Sequence, residues 1–181
     1  VGERATLQTR VYLGLLRGVN VGGNNRLPMS ELRSLFVSLG FENVRTLIQS
    51  GNVIFQSSQV PMSSSLESAI AERFGISTDV VLRTASDLEV VVHDNPFPTG
   101  DAARVYVGFM AGRPSTSVVS ALDELRVGAD EFVVSGTEIY LYLSTGMGQS
   151  KLPSHLTRRI KIPITMRNWN TVKELAELAA S

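Results

Sequence analysis

The chain has 181 residues, 43% hydrophobic and 19% charged, with 17 Lys plus Arg against 17 Asp plus Glu; this suits one globular domain or two small ones and excludes a large multidomain enzyme. Without cysteine and with only two histidines, His93 and His155, the chain cannot form a disulfide framework, a thiol nucleophile or a Cys- or His-rich metal cage, and no metal or other cofactor is expected. No apolar run approaches the roughly 18 residues of a membrane span, and the opening VGERATLQTR lacks the apolar centre of a secretion signal, so a cytoplasmic protein without membrane contact is expected.

Residues 1–10 read as a tail, followed by a strand at Tyr12 to Arg17 and a Gly/Asn-rich loop. Pro28 opens a helix whose Leu32, Leu35, Phe36 and Leu39 share one face at i, i+3, i+4, i+7 spacing, and Gly40 ends it. Val44 to Gln49 and Val53 to Phe55 flank Ser50-Gly51-Asn52, a hairpin composition. Pro61 and a capping box of Ser64 with Glu67 predict the next helix, and Asp79 to Arg83 the fourth strand. Ser86 with Glu89 then caps an extra helix that stops at Asn95-Pro96. The order β-α-β-β-α-β plus helix recurs: strand Val105 to Met110, helix near Ser117 to Leu125, strands near Phe132 to Val134 and Ile139 to Leu143, helix near Ser150 to Ile160, and strand Ile164 to Met166. The last helix is opened by a Thr171/Glu174 box and carries the apolar stripe Val172, Leu175, Ala176 and Ala179.

Self-similarity supports this reading. RVYLGLLRG at 10–18 matches RVYVGFMAG at 104–112 at an offset of 94, Ser50-Gly51 recurs as Ser135-Gly136 at 85, and Arg83 recurs as Arg167 at 84. Three segments in one order at similar offsets predict an α+β protein made by tandem duplication of two ferredoxin-like βαββαβ units, at 11–99 and 100–181, each followed by an extra helix and packed as one compact protein. Charge is unevenly spread: net +2 over 1–78, −6 over 79–138 and +4 over 139–181, with no acid between Ile139 and Lys173. That basic stretch suits an anionic partner, and equally the solvated faces of two helices.

Two constellations are candidate ligand sites. Arg17, Asn20, Gly22, Gly23, Asn24 and Asn25 lie between a strand and a helix, where glycines free backbone N–H groups and the helix start favours anions. The ferredoxin-like topology brings Ser50 and Asn52 to the same sheet end; the alternative is a wide turn needing positive φ at Gly22 and Gly23, with the asparagines bonding backbone. In the second half, Ser150 and Lys151 are expected near Arg167, Asn168, Trp169 and Asn170, where two helix starts, two cations and an indole face suit a phosphate with a stackable ring. Here the alternative is a cap, a core Trp and a structural Arg. His155 reads as a partly buried structural histidine beside Leu152, Leu156 and Ile160, and no P-loop or nucleophile elbow is present.

The segments LLRGVNVGGNN, IQSGNVIF, NPF, SKL and TMRNWNT resemble the bacterial family called domain of unknown function 1697, from about Val11 to Ala179. The resemblance implies two similar α/β halves and no assigned biochemical function. The chain departs from that family at Leu47, where an aromatic residue is usual. The expected function is binding of a small phosphate-bearing or other anionic, nucleotide-like ligand, in preference to nucleic acid because RVYVGFM lacks the basic-glycine-aromatic pattern of RNA-binding sheets. The alternatives are a metal-independent enzyme acting on a phosphorylated or carboxylated substrate, and an oligomerisation or regulatory module.

Overall fold

The computed structural model describes residues 8–126 and 128–181, so most of the expected tail lies outside the described residues. In chain order the elements are β1 (Arg10–Leu16), α1 (Met29–Ser38), β2 (Glu42–Leu47), β3 (Asn52–Ser57), α2 (Ser63–Phe74), β4 (Val80–Thr84) and α3 (Ala85–His93). They continue with β5 (Val105–Met110), α4 (Thr116–Ala121) running into a 3₁₀ turn at Leu122–Leu125, β6 (Glu131–Ser135), β7 (Glu138–Tyr142), α5 (Leu152–Ile160), β8 (Ile164–Asn168) and α6 (Trp169–Ala180).

Two four-stranded antiparallel sheets result, ordered β2-β3-β1-β4 and β6-β7-β5-β8. These are the two ferredoxin-like halves of an internal duplication, and the match extends to register. Leu13 sits opposite Arg83 just as Val107 sits opposite Arg167, reproducing the offsets of 94 and 84. In β3 and β7, however, Tyr12 pairs with Phe55 and Tyr106 with Leu141, one residue beyond the offset read from the serine-glycine turns. The first hairpin closes over four residues, 48–51, and the second over two, so an extra residue is absorbed in the turn.

Period-2 alternation decides which face of each sheet meets its helices. In the first half Tyr12, Leu16, Val53, Phe55 and Val80 face Leu32 and Phe36 of α1 and Leu66 and Ile70 of α2. Phe55 lies at the centre, 4.5 Å from the Phe41 ring centroid, 5.2 Å edge-on from Phe36 and 5.9 Å from Tyr12. In the second half Met110, Phe132, Ile139, Leu141 and Ile164 pack on Leu122 and on Leu152, Leu156 and Ile160 of α5. His155 is half-buried beside that face, as expected. The opposite-facing residues, including Leu13, Leu15, Ile54, Val107 and Phe109, are buried too.

Helix starts differ from the expected boxes because other groups compete for the same side chains. α2 begins at Ser63 without a side-chain cap, and Glu67 instead accepts from the Val80 backbone N–H at 2.9 Å, tying α2 to β4. α3 follows β4 directly, which leaves Ser86 inside the helix. α6 begins two residues before Thr171, with Asn168 Oδ1 accepting from the Asn170 N–H at 3.0 Å. In α4 a serine does cap, with Ser115 accepting from the Val118 N–H.

The chain divides into a first unit ending at Ser86 and joined by Leu178–Ser181, and a second of Asp87–Glu177. The expected boundary was 99/100. The difference is α3, which follows the first repeat in sequence but belongs almost wholly to the second unit. There the Tyr140 hydroxyl donates to the Val91 carbonyl of α3 at 3.1 Å. Burial and the charges of Glu138 and Asp94 push the Tyr140 pKa up to about 12, so the phenol remains a donor at neutral pH.

Candidate functional site

The connection from β1 to α1 spans twelve residues, 17–28, where the second half uses five, 111–115. Five residues of this connection are left-handed: Gly18, Asn20, Gly22, Gly23 and Asn25. Gly and Asn tolerate that region best, which is why this composition builds this loop. The asparagines do the shaping. Asn20 Nδ2 donates to the carbonyls of Leu27 and Gln49, both at 2.8 Å, and its Oδ1 accepts from the Leu27 N–H at 2.8 Å. Asn25 Nδ2 reaches the Gly18 carbonyl at 3.2 Å, and a bridge between Val21 and Asn24 closes the tip over Gly22 and Gly23.

The expected meeting of this loop with the β2–β3 hairpin is therefore present, made by the Asn20 bond to Gln49 and by the Leu16 N–H donating to Gly51 at 2.9 Å. It is made by scaffold groups. Asn52 is fully buried and donates to the Leu47 carbonyl at 3.0 Å and to Ser50 Oγ at 2.8 Å. Asn20, Asn25, Ser50 and Asn52 thus hold the loops, while Gly22, Gly23, Asn24 and Arg26 face solvent.

Arg17 turns away from the tip toward β4, bonding Asp79 at 3.0 Å with both side chains about two-fifths exposed. Its carbonyl accepts from Thr78 Oγ1 at 2.7 Å. Arg17, Gly18, Asn25, Ser77, Thr78 and Asp79 contribute to the lining of an open cleft of ≈ 430 Å³. The amides of Gly22 and Gly23 donate to no acceptor among the described residues.

The second constellation does not converge. Ile164 and Met166 of β8 face α5, so Arg167, between Met166 and Asn168, projects to the other face of the sheet, away from Lys151 at the start of α5. Arg167 is almost fully buried and donates to Thr165 Oγ1 at 2.7 Å and to the Met166 carbonyl at 2.9 Å. Burial pushes its pKa down to about 10, which still leaves it charged at neutral pH. Asn168 donates to the Ala102 and Ala103 carbonyls while capping α6, and Trp169 is buried. Of the six residues expected there, Lys151 and Asn170 are exposed.

Ser150 belongs to a group the sequence did not reveal. Asp130 accepts from Ser150 Oγ at 2.6 Å, Ser144 Oγ at 2.7 Å and the Ser144 N–H at 2.8 Å, while Ser150 Oγ accepts from the Leu152 N–H at the start of α5. Burial raises the Asp130 pKa, but these hydrogen bonds outweigh it and the net shift is downward. A depressed carboxylate pKa contributes stability that is present above the unfolded value near 3.8 and lost as pH falls through the lower folded value. Asp130→Asn is accordingly expected to cost about 1 kcal/mol at pH 7 and progressively less in more acid solution. Urea unfolding curves at both pH values check this; an equal difference at both would contradict the role of the charge.

The sequence also missed Ile48, a β-branched residue at φ 46° and about half exposed in the first hairpin, a true outlier for its type. Among the described residues no helix is long and apolar enough to cross a membrane, and no group of three metal-ligating side chains occurs.

A family model described as "Protein of unknown function (DUF1697)" matches residues 9–140. The match includes the Gly/Asn loop and first hairpin and stops before TMRNWNT at 165–171, one of the segments that carry the resemblance. Among solved structures, the conserved bacterial protein SP0830 from Streptococcus pneumoniae is similar, with a TM-score of 0.75 at 24% identity, covering 95% of this chain and 99% of that one. At that identity the likeness concerns the fold. No curated protein matches the chain.

Proposed function

The chain belongs to the DUF1697 family of proteins of unknown function, and from the geometry of its own loops we propose that it binds a small phosphate-bearing or other anionic ligand at the loop end of the first sheet. The observation that carries this reading is the construction of the Gly18–Arg26 loop. Asn20 and Asn25 supply the hydrogen bonds that fix the loop from within, and the Gly22 and Gly23 amides are left without acceptors beside Asn24 and Arg26. A loop that holds left-handed backbone through its side chains and keeps its amides open is preorganised for oxygen acceptors. Arg17 can swing from Asp79 onto a ligand at small cost, because an exposed ion pair contributes about 0–1 kcal/mol.

The test is mass spectrometry of small molecules retained by the natively purified protein, followed by titration of the identified molecule. Arg17→Ala and Asn24→Ala are expected to weaken binding about tenfold while changing stability by no more than about 0.5–1 kcal/mol. Equal loss of stability and binding would assign both residues to the scaffold, and unchanged binding would remove the loop from the site. A second reading, docking of a partner protein on these loops, is favoured by the exposure of Val21 (65%) and Ile48 (52%).

A further inference from the structure

Helix α5 carries more positive charge than the ion pairs of the fold or the proposed ligand site use. Its buried side is Leu152, Leu156 and Ile160; Lys151, Arg158, Arg159 and Lys161 are exposed, and half-buried His155 lies between them. Helix spacing aligns Lys151, His155 and Arg158/Arg159 as a stripe continued by Lys161. Over the ten residue steps from Lys151 to Lys161 the stripe extends about 15 Å.

Carboxylates are scarce beside it. Glu124 pairs with Arg159 at 3.1 Å, and Asp130 is engaged by Ser144 and Ser150. Among the described residues Lys151, Arg158 and Lys161 have no acidic partner. Leu125, His155, Arg158 and Arg159 line a cleft of ≈ 280 Å³ along the helix flank.

The plain explanation is that cations in the last turn stabilise a helix through its dipole. This accounts for Arg158, Arg159 and Lys161. It fails for Lys151, which stands at the N-terminal end of α5, where a cation opposes the dipole and no acid occupies the first turn. One phosphate cannot engage cations spread over this length, whereas a chain of phosphates can. The exposed surface is made of point charges and guanidinium forks without an exposed aromatic residue, which suits phosphate oxygens more than base edges.

We propose that the exposed face of α5 is a docking surface for the phosphodiester backbone of a single nucleic-acid strand, bound without sequence preference. Contacts from four cations would give log affinity against log salt a slope of about −3.

The experiment is fluorescence anisotropy of a labelled single-stranded RNA of about 20 nucleotides with the full chain, between about 50 and 200 mM salt. Arg158→Glu is expected to weaken binding at least tenfold, while Arg73→Glu, an equal charge reversal on α2, leaves it within about twofold. Lys151→Gln is expected to reduce the slope by about 1 while leaving the melting temperature unchanged or higher, a combination a merely structural lysine would not give. The proposal is overturned if the strand does not bind at low salt, if Arg73→Glu weakens binding as much as Arg158→Glu, or if poly-aspartate of equal charge displaces the RNA as effectively as unlabelled RNA.

Discussion

Gly51→Ala is expected to destabilise the protein by about 3 kcal/mol, the largest effect of any single methyl group discussed. Gly51 has φ 75°, and a Cβ placed there would lie 2.6 Å from Val19 Cγ2 and 2.8 Å from Leu16 Cβ. Left-handed backbone costs a non-glycine residue roughly 1–2 kcal/mol, and overpacking a filled site adds about 1–3 kcal/mol. Leu16 and Val19 are each 1% exposed and cannot move aside into solvent. In a chain of this length the melting temperature should fall by about 6–12 °C. Gly22→Ala and Gly23→Ala form the control. Both positions have positive φ, but a Cβ there meets nothing within 4 Å, so only the backbone cost of about 1 kcal/mol is expected. Urea unfolding of the three variants separates the terms, and equal losses would show that the close approach of the hairpin to β1 is wrong.

Asn20→Ala is expected to cost about 3 kcal/mol, from three hydrogen bonds worth roughly 1 kcal/mol each. The side chain closes the loop on Leu27 and ties it to Gln49, so the Leu27 amide should also lose hydrogen-exchange protection. Asn20→Asp retains the acceptor for the Leu27 N–H but turns an oxygen toward two carbonyls, and should be nearly as unstable. Asn24, whose side chain faces solvent, should tolerate alanine within about 0.5 kcal/mol. A stable Asn20→Ala protein would mean that the loop is held by its glycine turns alone.

Most of the fold was legible because hydrophobic periodicity and internal repetition are properties of the chain. The 94- and 84-residue offsets reappear as the pairing of Leu13 with Arg83 and of Val107 with Arg167. Helix starts were less legible, since an S-x-x-E pattern does not show whether its glutamate returns to the helix amide. Glu67 found the Val80 N–H of a neighbouring strand instead. In the candidate sites, sequence correctly brought the Gly/Asn loop to the hairpin and gave Gly22 and Gly23 positive φ. It could not divide the asparagines: Asn20 and Asn52 are supports and Asn24 is exposed, although all three sit in similar polar, glycine-rich surroundings.

The sequence by itself determined the element order, the duplication, most of each buried helix face and the glycine turns, because each depends on spacing along the chain. Leu39, expected on the buried face of α1, is instead its exposed C-cap residue, since the helix ends at Ser38. Tertiary structure alone decided that α3 joins the second unit, that Asp130 gathers Ser144 and Ser150, and that Arg167 and Lys151 diverge. Those outcomes depend on which face of a sheet a side chain occupies and on which distant carbonyl or carboxylate is nearest. Strand register fixes the face, and chain packing fixes the neighbour. Two cations that topology brings to one sheet end can therefore be separated by the thickness of the sheet, and the alternation of β8 puts Met166 toward α5 and Arg167 on the opposite side.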